Sequence, residues 1–404
     1  MSELKRGAII LFITINLFNF LNFLFHFVMG RMLSPAEYGT LAVLMSITYI
    51  YSIPSEAIQN LISRYTTTFN IKKEEGKVKF LMNKAIKKSL KVSLILFIIF
   101  GLFSIFLSYF IGVDFWLIVL SNVIIFGAFI GPVLRGVLQG RKKFSLLGMS
   151  LVIESSVKMI LAMVLVAIGL KVYGAILGVV LGVFLGMFFA FYFNKDINEK
   201  KEEKERFEGI YSTSSKYFAS MLFIFIIFSL DIILAKRFFS PEVAGQYAVL
   251  SMLGKMIFLG TAAFGKAMFP ISSENTDKNQ SSKKLFIKTS LLVGICCLIA
   301  VAVYGLYPEL VIKLLYGNQY LAIAPYLIYS GIALSLMAFT NLVLLYGLST
   351  GKIKNTYYLG IILLIVLGIL YFFSSSVEVY IKGFLISNII MFIGVILFFI
   401  KWKK

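Results

Sequence analysis

Eight side chains able to carry or exchange charge lie inside stretches otherwise built of aliphatic and aromatic residues. They are the cations Arg135, Lys158, Lys255 and Lys266, the carboxylates Glu56, Glu154 and Asp231, and His26, the sole histidine. A charge at membrane depth is costly, so such residues are kept mainly where they face a cavity or a partner. Four cations against three carboxylates leave a slight basic excess. A basic cavity of this kind can hold an anionic phosphate or diphosphate through charge-assisted hydrogen bonds, and the planar fork of Arg135 can bind two oxygens at once. An imidazole ordinarily titrates near neutrality, which makes His26, with Glu56, Glu154 and Asp231, a candidate for ion coupling or for the cavity wall.

Spacing offers each of these residues a second reading. Glu154 and Lys158 are four apart, in the favourable order for a helical ion pair, and can satisfy each other instead of a ligand. Arg135 lies within a turn of the end of its stretch, where its side chain can snorkel to the interface instead of facing a cavity. Lys255 and Lys266, eleven apart, share one helical face. Lys236 and Arg237 are placed to neutralise Asp231. His26, between Phe25 and Phe27, reads more simply as a hydrogen-bonded packing residue. Glu56 follows Pro54, which frees a backbone carbonyl and can kink the helix. The two cysteines, Cys296 and Cys297, are adjacent, point in different directions on a helix, and read as small packing residues rather than a disulfide or metal site.

The elements that must position these groups are membrane helices. Hydrophobic residues make up 59% of the chain and charged ones 14%, a balance no soluble domain shares. A span of hydrocarbon takes about 20 apolar residues. Twelve stretches qualify, at 8–29, 38–63, 92–112, 115–138, 146–169, 172–194, 213–235, 244–269, 285–306, 319–349, 355–375 and 380–400. Runs of this length in lipid must be helices, because only a helix satisfies its own backbone. The first run continues into a Ser-Pro turn without a convincing cleavage site and reads as a retained span.

The net charge of +20 follows the same topology. With a cytoplasmic N-terminus, 29 of the 39 Lys and Arg residues fall on the cytoplasmic side, six on the other and four inside spans. Both termini are therefore expected in the cytoplasm. Sidedness accounts for the basic charge without nucleic acid, and attraction to anionic lipids is its side effect.

The chain is also written twice. Arg31 to Leu44 (RMLSPAEYGTLAVL) recurs without a gap as Arg237 to Leu250 (RFFSPEVAGQYAVL), identical at seven of fourteen positions. A sparser echo relates Leu134, Gly136, Gly140 and Lys143 to Leu345, Gly347, Gly351 and Lys354. Six spans precede and six follow the charged run from Asn194 to Glu208, which reads as a solvated cytoplasmic linker. The expected organisation is an all-α bundle with a six-helix lobe at 1–194, a linker at 195–212 and a second six-helix lobe at 213–404. An even number of spans per repeat relates the lobes by a pseudo-two-fold axis along the membrane normal, an arrangement common in transporters. The stretch from Lys72 to Lys91 reads either as an amphipathic helix on the membrane surface or as an extension of the third span.

The turns Ser34-Pro35-x-x-Tyr38-Gly39 and Ser240-Pro241-x-x-x-Gly245-x-Tyr247, the run Leu138-Gln139-Gly140-Arg141-Lys142, and Leu315-Tyr316-Gly317-Asn318-Gln319-Tyr320-Leu321 with Pro325 together resemble the polysaccharide-biosynthesis (Wzx-type) flippases of the multidrug/oligosaccharidyl-lipid/polysaccharide exporter superfamily. The resemblance covers essentially the whole chain. It implies transport of a polyprenyl-phosphate- or diphosphate-linked oligosaccharide from the cytoplasmic to the outer leaflet of the cell membrane by alternating access, without a cofactor. Two lobes in one chain suffice for such a cycle as a monomer. A cation-coupled multidrug exporter of the same superfamily is the alternative, although it favours an acidic or aromatic cavity. Lipid II flippases resemble fourteen-span proteins, two more than this chain supplies. An integral-membrane sugar polymerase or glycosyltransferase needs a large extracytoplasmic loop, which the spacing of the spans leaves no room for. The sequence holds no phosphate-binding Gly-Lys-Ser/Thr loop, metal-ligand cluster or nucleophile motif, so a proton or sodium gradient, the membrane potential or the substrate gradient is the expected energy source.

Overall fold

Apolar runs of this length fold as helices, and sixteen of them succeed one another in the computed structural model, which describes residues 3–205, 215–278, 280–353 and 357–401. They are α1 (Glu3–Met32), α2 (Pro35–Tyr51), α3 (Ile53–Ile71), α4 (Glu75–Ile111), α5 (Phe115–Asn122), α6 (Ile124–Gly140), α7 (Phe144–Leu165), α8 (Lys171–Tyr192), α9 (Lys195–Asn198), α10 (Ser215–Phe238), α11 (Pro241–Asp277), α12 (Lys283–Leu306), α13 (Pro308–Leu315), α14 (Leu327–Ser349), α15 (Tyr357–Phe372) and α16 (Val377–Lys401). There is no strand among the described residues. Among the described residues ten helical stretches are long and apolar enough to cross a membrane. One of them, Phe144–Tyr192, makes two crossings, because the chain reverses after α7 through Gly169 at φ 95° and Lys171 at φ 47°. Adding the shorter apolar α15 gives twelve, the expected all-α architecture of twelve membrane helices in two lobes.

By internal packing the chain forms two compact units, Met1–Leu33 with Ile47–Thr213 and Ser34–Ser46 with Ser214–Lys404. The first part of α2 thus belongs to the second unit. There Tyr38 shares a hydroxyl hydrogen bond of 3.0 Å with Tyr316, Lys236 donates to Thr40 Oγ1 at 3.0 Å, and Ser229 donates to the Ser46 carbonyl at 2.8 Å. The glycines of the two repeat turns meet in this unit. A methyl on Gly39 would lie 2.8 Å from the Gly245 Cα, and one on Gly245 would lie 1.7 Å from the Pro35 carbonyl oxygen, so only glycine fits. The first turn is closed by a reciprocal cap: Glu37 accepts from the Ser34 N–H at 3.0 Å and Ser34 Oγ accepts from the Glu37 N–H at 3.4 Å, with Pro35 opening the helix. Its copy at Ser240 has no side-chain cap.

Two prolines shape the first unit. The second span breaks at Ser52, where Pro54 opens α3. Pro132 lies inside α6 and leaves the Ala128 carbonyl without its helical donor; Ser55 Oγ supplies one at 2.7 Å. Helix α4 is a single rod of 37 residues, about 55 Å long, so the Lys72–Lys91 stretch from Glu75 onward is an extension of the third span and not a separate surface helix.

The charged run after α8 is also more ordered than a solvated linker. Arg141 grips Asp196 with both terminal nitrogens, at 3.0 and 2.5 Å, and Lys143 adds a contact at 2.8 Å. These hydrogen bonds, Arg141 first, hold the Asp196 carboxyl well below the usual carboxylate range. Lys79 caps the carbonyls of Asn198 and Lys200 at 2.6 and 2.7 Å, and Glu203 N–H donates to the Gly76 carbonyl at 3.2 Å. Residues 195–205 are therefore laid onto the start of α4. Residues 206–212 of the expected linker, and Lys354 of the second echo, lie outside the described residues.

Candidate functional site

The deep polar residues fall into two clusters, one in each unit. The first is assembled from α1, α6 and α7. Asn22, Phe25 and His26 fall at i, i+3 and i+4 on α1 and present one face. Lys158 of α7 donates to Asn22 Oδ1, and its ammonium stands 4.5 Å from the centre of the Phe25 ring, a cation–π contact. His26, 3% exposed, meets this aromatic edge-on at 5.4 Å. Arg135 of α6 donates through Nη2 to Glu154 Oε2 and through Nε to Ser150 Oγ at 3.3 Å. Glu154 thus pairs with Arg135 rather than with Lys158, four residues along its own helix. The Arg135 and Glu154 side chains retain 12% and 16% of their exposure.

Helix α8 fixes where this cluster sits. It runs antiparallel to α7, and Gly174, Gly178, Gly182 and Gly186, every fourth residue, lie against Leu165, Ala162, Lys158 and Glu154. A methyl on any of the four would come within 2.8 Å of α7. Small residues at this spacing let two membrane helices touch backbone to backbone, and the contact runs past both charged residues of α7.

The second cluster is assembled from α10, α11 and α16. Asp231 of α10 pairs with Lys255 of α11 at 3.2 Å, with side chains 0% and 1% exposed. The other carboxylate oxygen accepts from Ser251 and from Tyr247 at 3.3 Å, and Tyr380 of α16 donates to the Asp231 backbone carbonyl at 2.8 Å. The Lys255 ammonium lies 4.7 Å from the Phe228 ring centre. Each charge is balanced, and every donor named here has an acceptor. The partner of Asp231 is therefore Lys255, not Lys236, which bonds to Thr40.

Of the eight residues singled out in the sequence, four gather in the first cluster (His26, Arg135, Glu154, Lys158) and two in the second (Asp231, Lys255). Lys266, three turns beyond Lys255, is exposed, and Glu56, in the first turn of α3, is half-buried. The sequence reading missed Asn22, Ser150, Ser251 and Tyr380, neutral groups that orient the charged ones, and had Tyr247 only as a residue of the repeat turn. The four-residue step of Tyr247, Ser251 and Lys255, and that of the glycines on α8, were the available signals. Among the described residues no three His, Cys, Asp or Glu side chains gather as a metal site requires. Cys297 is buried and Cys296 exposed.

Comparison with known proteins bears on this arrangement. Residues 28–325 match the family model described as polysaccharide biosynthesis protein. The chain belongs to that family. No curated protein sequence matches it. Among solved structures, this polysaccharide biosynthesis protein is similar to an inward-facing multidrug resistance MATE family transporter of the MOP superfamily, with a TM-score of 0.77 at 14% identity over 95% of this chain and 93% of the other. The lipid II flippase MurJ in an inward closed conformation gives 0.65 at 13% identity over 98% and 90%. A MOP superfamily transporter from Pyrococcus furiosus, described as having a binding pocket of reverse polarity, gives 0.59 at 13% over 99% and 94%. At these identities the likeness is one of fold.

Proposed function

We propose that the chain is a flippase that moves a polyprenyl-phosphate- or diphosphate-linked oligosaccharide from the inner to the outer leaflet of the cell membrane by alternating access, as a monomer with both termini in the cytoplasm. The observation that carries this reading is the charge of the first cluster. Arg135 and Lys158 face a single carboxylate, Glu154, and the oxygen bonded to Lys158 belongs to a neutral amide. The excess cation is matched by the phosphate of such a substrate, and Arg135, partly exposed and already oriented by Ser150, is its first ligand. Lys158 is the second. The Asp231–Lys255 pair serves as a structural tie, and Lys266, exposed on α11, as a peripheral cation. His26, beside the Lys158 site, and Glu56, next to the proline that interrupts the second span, are the groups assigned to proton or sodium coupling.

The test is transport in proteoliposomes, with a fluorescent polyprenyl-diphosphate oligosaccharide and a cationic dye offered in parallel under imposed proton and sodium gradients. Movement of the lipid-linked sugar that is lost in Arg135→Gln with Lys158→Gln, while membrane insertion persists, supports the reading. Dye efflux without lipid movement makes the chain a multidrug exporter instead.

A further inference from the structure

One cavity lies apart from both clusters, at the basic end of α3 in the first unit. It measures about 430 Å³ and is walled by Leu61, Arg64 and Tyr65 of α3, by Lys72 at the cap of that helix, and by Lys77 and Glu205, a size within the usual range for small-molecule sites. The α3 residues recur at i, i+3 and i+4, with Lys72 at i+11 just past the helix end, so one face of the helix builds the wall. The opposite face is fixed in place, because Ile62 and Thr66 lie against Gly136 and Gly140 of α6 with no room for a methyl between them. The wall is therefore held rigidly while its inner surface stays open.

The cations of this cavity are unequally matched. Lys77 lies between two carboxylates, Glu74 at 3.1 Å and Glu205 at 2.8 Å. Arg64 and Lys72 are exposed and make no ion pair among the described residues. Leu61, Tyr65 and Phe69 give the wall apolar and aromatic surface, and Arg64 and Lys72 are interleaved with them as cations. Apolar surface beside cations at the end of a membrane helix matches a lipid, whose anionic head group adjoins its acyl chains.

We propose that this cavity is a docking site for the phosphate-bearing head group of an anionic membrane lipid. Arg64 and Lys72 bind the phosphate, Tyr65 and Lys77 form the floor, and Leu61 meets the start of the acyl chains. The site is independent of the transported substrate and stands or falls without the flippase reading.

The full-length protein in neutral detergent is titrated with phosphatidylglycerol, with phosphatidylcholine and with inorganic pyrophosphate, and its melting temperature is followed. Phosphatidylglycerol is expected to raise the melting temperature saturably and phosphatidylcholine to leave it unchanged. Arg64→Gln with Lys72→Gln is expected to weaken the apparent affinity about thirtyfold, from the loss of two cations near the membrane surface. Lys87→Gln with Lys91→Gln removes the same charge from the exposed face of α4 and is expected to retain wild-type affinity. Equal weakening by both double variants would reduce the effect to diffuse basic attraction and overturn the site. So would the absence of saturation, and saturation by pyrophosphate alone would overturn the assignment to a lipid.

Discussion

Lys158 and Lys255 hold their ammonium groups at nearly the same distance from a phenylalanine ring, 4.5 and 4.7 Å, in the two units of one duplicated chain. Their oxygen partners separate them. Lys158 has the amide of Asn22, whereas Lys255 has the carboxylate of Asp231, itself held by Ser251 and Tyr247. The repeat turns are 206 residues apart, and the same step relates Asn22 to Phe228 and Phe25 to Asp231. The first helix of each repeat has therefore exchanged its polar and aromatic positions. One copy became a neutral, sealed knot and the other kept an excess positive charge near partly exposed side chains. An intramembrane ion pair is thus weak evidence for a site, and charge left over after pairing is stronger evidence.

The sharpest way to break this contrast is to cut the sealed pair. Asp231→Ala leaves a cation with no carboxylate at a fully buried position, and a loss of about 3–5 kcal/mol is expected in thermal unfolding of the purified protein. Asp231→Asn with Lys255→Met should recover most of that loss and should still transport; a double variant that folds but is inactive would move the second cluster into the substrate path. In the first cluster the order is reversed. Arg135→Gln should lower transport roughly ten- to hundredfold with little change in melting. A large melting shift with normal flux would make Arg135 a structural residue.

Gly186→Val drives a side chain into Glu154, whose Cβ is 2.6 Å from where a methyl would begin. Overpacking there should cost about 1–3 kcal/mol and reduce flux with it, linking α8 to the cluster it braces. The smallest effect concerns Asp196. Its folded pKa is depressed by Arg141 and Lys143, so its stabilisation is present above the ordinary carboxylate pKa and fades as pH falls below it. The carboxylate is 42% exposed, which limits the contribution to about 1 kcal/mol or less. The melting difference between wild type and Asp196→Asn should be constant at neutral pH and shrink only below about pH 4.

The twelve spans were legible because apolar length and basic sidedness are one-dimensional signals. Most of the deep charges were legible too, since any Lys, Arg, Asp or Glu in such a run stands out. Their pairing was not. Glu154 had a partner of the right type four residues away in Lys158, and only the approach of α6 to α7 shows that Arg135 takes it. Asp231 had Lys236 and Arg237 close in sequence, yet it is bonded to Lys255 on the next helix. The charged run after α8 looked fully solvated because its composition is polar; its backbone carbonyls, which bind Lys79, leave no trace in composition.

The short segment Ser34–Ser46 carries a consequence for how the protein is made. Its partners Tyr316 and Tyr320 are translated some 280 residues later, so at about 5–20 residues per second the segment waits for more than ten seconds before its pocket exists. During that interval Tyr38 lacks the tyrosines that bind it in the finished protein, and the segment waits without the rest of its unit. A polypeptide severed at residues 206–214 would leave the later fragment short of Ser34–Ser46, which the earlier one holds. Full assembly would then require one chain to donate that segment to the other.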